Sequence, residues 1–111
     1  MILIEDFEKK AITLLCADAL PNSVLHSVVN SPESIKVKFT GAEYLLSIKH
    51  KELPTDRLKF NSSNVKGEFQ GHELNFEVFI EAKTLCLECS NYSGFGIPEE
   101  IRKGCIQVYA I

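Results

Sequence analysis

The sequence has no run of about 20 apolar residues, the length that a membrane-spanning helix requires. Its start also lacks the basic segment of a signal peptide, because acidic residues directly follow the apolar stretch 1–4. We therefore expect a cytoplasmic protein that does not associate with a membrane. In a reducing cytosol, the four cysteines at positions 16, 86, 89 and 105 would be free thiols.

An excess of basic residues is also missing. The formal net charge is −3 and the pI is about 5.6, whereas nucleic-acid-binding domains are more often basic. We therefore expect no nucleic-acid partner, while mild acidity would suit a basic protein partner. Internal repeats, low-complexity runs and linkers are absent too, so residues 1–111 should form a single domain.

Motifs for metals and cofactors are missing as well. Cys86 and Cys89 form a single C-x-x-C pair, whereas a zinc site usually takes two such pairs. On a regular strand the two cysteines would face opposite sides of the sheet, so one ion could not bridge them. The Gly-rich segment 91–96 lacks the spacing of known phosphate-binding loops. The sequence therefore predicts neither a metal site nor a cofactor.

No catalytic signature is evident either. His26, His50 and His72 each lie at or near a predicted turn, where an exposed histidine is common. A nucleophilic Cys–His pair would meet in space rather than in sequence, so this alternative stays open. The leading expectation is a non-enzymatic binding protein.

The clearest positive pattern is the strict alternation of residues 73–82. One row is apolar and should be buried: Leu74, Phe76, Val78, Ile80 and Ala82. The opposite row, here called the outer row, should face away from the core: Glu73, Asn75, Glu77, Phe79 and Glu81. A period of two with β-branched and aromatic residues indicates a strand with one buried face. We predict that it is the central strand of an antiparallel sheet.

The remaining segments predict an α+β fold. Residues 3–20 carry apolar side chains at three- and four-residue steps, which indicates a helix with one apolar stripe. Segment 23–29 could be a second helix or an edge strand, 61–64 should be a turn, and 98–104 should be a helical turn. We therefore expect an N-terminal helix packed on an antiparallel sheet of six or seven strands. The sheet would either curl into a half-barrel around the helix or leave part of one face in water.

The outer row is the best candidate for a binding surface. Its glutamates recur every four residues around one aromatic side chain, which resembles an interface anchor within a polar rim. Glu88 and Glu68 would join it if the neighbouring strands pair alongside. The alternative is an ordinary solvated face whose charges resist aggregation. Exposed aromatics at a loop tip extend the set of partner-binding candidates: Glu73, Glu77, Phe79, Glu81, Glu88, Tyr92 and Phe95.

In overall character, the chain resembles the immunity proteins of bacterial contact-dependent growth inhibition and related polymorphic-toxin systems. It shares their small size, mild acidity, expected α+β fold and lack of catalytic motifs. The resemblance implies a cytosolic monomer that binds and blocks a toxin domain, commonly a basic nuclease. It rests on no shared motif, so no residue role is carried over. An acidic outer row would fit the cationic cleft of such a toxin.

Two alternatives belong to other classes. A secretion chaperone would also be small, acidic and α+β, but it would usually be a homodimer, and this chain is short of the extra helices of type III secretion chaperones. A small enzyme would combine a His or Cys with a carboxylate from the sheet face. A deep pocket lined by such residues would favour the enzyme.

Overall fold

The structure, a computed structural model, describes residues 3–91, 96–104 and 106–110, without the side chains of residues 61–63 and 99. A short 3-10 helix, Glu99–Lys103, lies between the last two strands. The other elements follow in chain order: α1 Asp6–Cys16, α2 Asn22–Asn30, β1 Ser34–Phe39, β2 Glu43–Lys49, β3 Leu58–Phe69, β4 His72–Glu81, β5 Thr84–Asn91 and β6 Gln107–Ala110.

Helix α1 confirms the predicted N-terminal helix, although it is shorter than the predicted 3–20. Its apolar stripe is buried and includes Phe7, Ala11, Ile12 and Leu15. The acidic first turn complements the positive end of the helix dipole. The helix ends at Cys16, and in the turn that follows the N–H groups of Ala19 and Leu20 both donate to the carbonyl of Cys16 at 3.0 Å.

Segment 23–29, for which the sequence allowed either a helix or an edge strand, is a helix. Helix α2 begins directly after Pro21, whose carbonyl accepts the backbone N–H of Leu25 at 3.0 Å. Its buried side chains include Val28 and Val29, which join the same core as the residues of α1. The core is therefore built with two helices, and the second is one of the two alternatives that the sequence left open for this segment.

The described strands form one antiparallel sheet in the order β1-β2-β5-β4-β3-β6. Strands β4 and β5 lie at its centre, which confirms the predicted place of residues 73–82. Six strands agree with the predicted six or seven, and the α+β fold is confirmed. Strands β1 and β6 lie at opposite edges, so the sheet is not closed into a barrel within the described residues.

Strand β3 corrects the predicted turn at 61–64. The chain runs straight on through these residues, and the register against β4 shifts between Asn61 and Lys66. Asn61 lies opposite Glu77, whereas Lys66 lies opposite Asn75. A bulge accommodates extra residues within a strand, which is why the turn-forming Asn and Ser residues do not end it here.

The core lies between the helices and the inner face of the sheet. The inward residues Leu74, Phe76, Val78 and Ile80 are all buried, as predicted. Ala82 departs from the pattern because it lies in the exposed β4–β5 turn with φ 51°. Helix α1 packs against β3, β4 and β6.

One glycine of β3 has a packing role. A Cβ atom at Gly67 would lie 2.7 Å from Cε2 of Phe76, so the glycine makes room for that ring on the inner face. Glycine weakens a strand by its conformational freedom, but here it allows the large aromatic side chain to be buried.

No helix in the described part of the chain is both long and apolar enough to cross a membrane.

Candidate binding face

The candidate site is the outer face of the sheet, the side opposite the helices. On this face Glu77 lies directly across from Glu88, and Phe79 lies across from Cys86. Lys59 of β3 flanks Phe79 from the other side. The pairing of β4 with β5 therefore brings Glu88 to the outer row, as the sequence predicted for this register.

Three carboxyl groups gather at the centre of this face. Glu43, Glu77 and Glu88, here called the central carboxylates, come from β2, β4 and β5. Glu88 lies opposite Leu45 of β2, two residues after Glu43, so Glu43 reaches it diagonally and the two carboxyl groups share a hydrogen bond. Sequence reasoning missed Glu43 because strand order is not visible in the sequence.

The environment of Glu88 raises the pKa of its carboxyl group to about 7. Loss of hydration is the largest cause, followed by the hydrogen bond with Glu43 and by the negative charges of Glu43 and Glu77. The nearby Lys59 acts in the opposite direction. The carboxyl group of Glu88 therefore keeps its proton to a higher pH than an ordinary glutamate does.

Phe79 lies beside the central carboxylates and is only half-buried. The ammonium nitrogen of Lys59 lies 5.4 Å from the centroid of its ring, within the range of a cation–π contact. The ring therefore belongs to the outer face and not to the core. Its exposed part is available to a partner.

Lysines make the outer face more mixed in charge than the outer row suggests. Lys66, buried despite its charge, donates a hydrogen bond of 2.8 Å to Oδ1 of Asn75, between Glu73 and Glu77. The exposed Lys36 and Lys38 lie on the same face along β1. The outer face therefore carries charges of both signs, with lysines on the strands that flank the central carboxylates.

The other predicted site residues lie apart from this centre. Glu73 is paired with Glu68 where β3 and β4 approach their connecting turn. Glu81 lies at the exposed opposite end of β4, across from Thr84. Tyr92 and Phe95 lie outside the described residues. The structure thus brings together three of the predicted residues: Glu77, Phe79 and Glu88.

The cysteines of the C-x-x-C pair face opposite sides of the sheet, as predicted. Cys86 lies on the outer face and Cys89 in the core. Burial raises the pKa of both thiols and raises that of Cys16 to about 12. A nucleophilic cysteine needs the opposite shift, since the thiolate is the reactive form. Among the described residues, no cluster of His, Cys, Asp and Glu could hold a metal ion.

His50 differs from the exposed histidine that was expected. It is buried, and its Nδ1 accepts the backbone N–H of Glu52 at 3.1 Å. His50 lies in the loop between β2 and β3. This loop also anchors the β4–β5 turn, because the N–H of Lys83 donates to the carbonyl of Pro54 at 3.0 Å. His50 therefore has a structural environment in a loop that anchors the turn.

A cavity of about 320 Å³ opens beside the β3–β4 turn. Apolar side chains dominate its lining, with His72, Gln70 and Asn91 as polar members. No Cys, Asp or Glu occurs among its described lining residues. The combination of groups expected for the enzyme alternative is therefore not assembled there.

Sequence reasoning missed a buried ionic cluster on the inner side. Glu8 is fully buried, and its carboxylate accepts hydrogen bonds of 2.8 Å from the Tyr44 hydroxyl and from Nε and Nη2 of Arg102. The cluster joins α1, β2 and the 3-10 helix. An inward-facing tyrosine needs a partner for its hydroxyl, so Tyr44 was the available signal. Tyr44 and Arg102 lie 36 and 94 residues from Glu8 in the sequence, which is too far for a local sequence pattern to pair them.

Comparison with known proteins gives no match to this chain among family models, curated proteins or solved structures. The geometry of the outer face is therefore the basis for its proposed function. The central carboxylates and Phe79 are the most specific features of that face.

Proposed function

We propose that this chain is a non-enzymatic binding protein that docks a basic protein partner on its outer face. Its biological role would be that of a cytoplasmic, monomeric immunity protein that inhibits a toxin domain. The observation that carries the proposal is the crowding of the central carboxylates beside half-exposed Phe79.

The crowding is unfavourable in the free protein. Like charges directly across a sheet destabilise it, and Glu77 faces Glu88 in this way. The raised pKa of Glu88 has the same origin in part, since Glu43 and Glu77 both contribute to it. A lysine or arginine from a partner would relieve this repulsion. The free energy of that relief would then appear as affinity for a cationic surface.

Phe79 supplies the apolar part of the interaction. An aromatic side chain surrounded by polar groups is typical of an interface hot spot, where the ring becomes buried and the rim excludes water. In the free protein Lys59 covers part of the ring. A partner would displace this lysine and use the ring as its anchor.

The charge arrangement suits an inhibitor of a basic toxin. Carboxylates that enter a cationic cleft would block the substrate of a nuclease and would speed association by electrostatic steering. The surrounding lysines would limit the orientations in which a partner can dock. Affinity should fall as salt rises, because the exposed charges are screened.

Growth protection tests the proposal. If a large filamentous adhesin gene lies immediately upstream of this gene, its C-terminal domain is the toxin to express in a bacterial host. We expect the wild-type chain to restore growth, and Glu77→Lys and Phe79→Ala to lose most of the protection. Asp18→Lys is the matched control, because exposed Asp18 follows α1 and lies away from the outer face.

Three outcomes would count against the proposal. Equal protection by Glu77→Lys, Phe79→Ala and the wild-type chain would show that the toxin binds elsewhere. No protection by the folded wild-type chain would contradict the immunity role. A secretion operon beside the gene, together with a homodimer in solution, would instead favour the chaperone alternative.

A further inference from the structure

We propose that the open edge of β1 is a second protein-binding site, which accepts an acidic, extended segment as an additional strand. This inference goes beyond the proposed function because it concerns the sheet edge rather than the central carboxylates. It rests on the backbone register of β1, the partial burial of its inward-facing side chains and the charges on its other face.

The register shows which backbone groups of β1 reach the open edge. At the β1–β2 hairpin, the N–H of Thr40 donates to the carbonyl of Glu43 at 2.9 Å. Hydrogen-bonded and non-hydrogen-bonded pairs alternate in an antiparallel ladder. Residues 36 and 38 therefore bond to β2, and the N–H and C=O groups of Ile35, Val37 and Phe39 point outward. No described strand pairs with β1 on that side.

The inward-facing side chains of β1 are incompletely covered at this edge of the sheet. Ile35, Val37 and Phe39 are each half-buried, whereas the residues opposite them on β2 are fully buried: Ile48, Leu46 and Tyr44. An additional strand with apolar residues at alternate positions would continue the inner face and cover this row. Main-chain hydrogen bonds would supply affinity, and the alternate side chains would supply specificity.

The charges on β1 select the occupant. Exposed Lys36 and Lys38 lie on the outer face of this strand, so carboxylates on an incoming strand would face them. A second copy of the chain fits less well. If two β1 strands paired antiparallel about Val37, Lys36 of one copy would face Lys38 of the other, and like charges across a ladder repel. Edge lysines resist such self-pairing while leaving the edge open to an acidic strand.

Amide hydrogen exchange tests this site in the full chain. The probe is a hexapeptide in which Glu alternates with Val, and the matched control peptide has Lys in place of Glu. In the free protein, we expect the amides of Lys36 and Lys38 to be protected and those of Ile35, Val37 and Phe39 to exchange rapidly. The Glu peptide should protect these three amides, whereas the Lys peptide should not.

Substitutions on β1 distinguish the contribution of backbone hydrogen bonds to peptide binding from the contribution of the lysine charges. Val37→Pro removes an outward N–H without removing a bond to β2, and an edge strand tolerates proline at such a position. It should abolish binding of the Glu peptide, while Val37→Thr should retain it. If Val37→Pro does not fold, the double variant Lys36→Glu with Lys38→Glu decides. It should weaken binding of the Glu peptide by about tenfold or more and should create binding of the Lys peptide.

The proposal would be overturned by equal binding of the Glu and Lys peptides to the wild-type chain. It would also be overturned if neither peptide protected the outward amides of β1, or if the free chain formed a dimer in which these amides were already protected. The variants of this test leave the central carboxylates unchanged. Its failure can therefore be distinguished from failure of the outer-face proposal.

Discussion

Replacing Glu88 by glutamine should change how the stability of the fold depends on pH. The pKa of Glu88 is raised to about 7 in the folded protein, from its ordinary value of 4.5. A carboxyl group with a raised folded pKa binds its proton more tightly in the folded state. Its stabilising contribution is therefore complete below about pH 4.5 and is lost as the pH rises through about 7.

The size of the effect is set by the partial exposure of Glu88. Because the side chain is only half-buried, solvent screening reduces the contribution to on the order of 1 kcal/mol. Glutamine remains uncharged at every pH and can still donate a hydrogen bond to Glu43. We expect Glu88→Gln to match the wild-type stability at pH 5 and to exceed it by about 1 kcal/mol at pH 8.

Urea unfolding followed by circular dichroism measures this difference at pH 5, 6, 7 and 8. The quantity of interest is the unfolding free energy of the variant minus that of the wild type, which removes contributions from other titrating groups. Asp18→Asn provides a matched control at an exposed position, and its difference should not rise between pH 5 and 8. A flat difference for Glu88→Gln, or a variant that is less stable at pH 8, would refute the reasoning.

Other predictions concern the core, the ionic cluster and the β4–β5 turn. Phe76→Ala should lower the unfolding free energy by about 3–5 kcal/mol in urea, whereas Phe79→Ala should leave the fold intact. Loss of folding in Phe79→Ala would show that this ring belongs to the core. Arg102→Met should cost about 3 kcal/mol in the same assay, because it leaves the charge of Glu8 buried and unpaired. Ala82→Asn should raise the melting temperature by about 4 °C in calorimetry, since asparagine tolerates the left-handed conformation better than alanine.

The features with a regular local period could be predicted from the sequence. The alternation in β4 identified both its buried row and its outer row, and the spacing of Cys86 and Cys89 placed them on opposite faces. Each conclusion depends on neighbouring residues of one strand. The hydrophobic effect acts on these patterns directly, because one face of the strand must be buried.

Features that depend on distant residues could not be predicted. Glu43 joins Glu88 only because β2 pairs with β5, and Arg102 reaches Glu8 only because the fold brings the 3-10 helix beside α1. Local preference was also overridden in β3. Asn61 and the residues after it favour a turn in isolation, but pairing on β4 holds them in a bulged strand.

The most direct test of the proposed binding surface is isothermal titration calorimetry of outer-face variants against a toxin domain. If a large adhesin gene lies immediately upstream, its C-terminal domain is the toxin domain to use. Glu77→Lys and Phe79→Ala should each weaken binding by about 1–4 kcal/mol. Asp18→Lys, which makes the same charge change as Glu77→Lys away from this face, should bind as the wild type does. Unchanged affinity for Glu77→Lys and Phe79→Ala, with both variants folded, would contradict the assignment of the outer face as the binding surface.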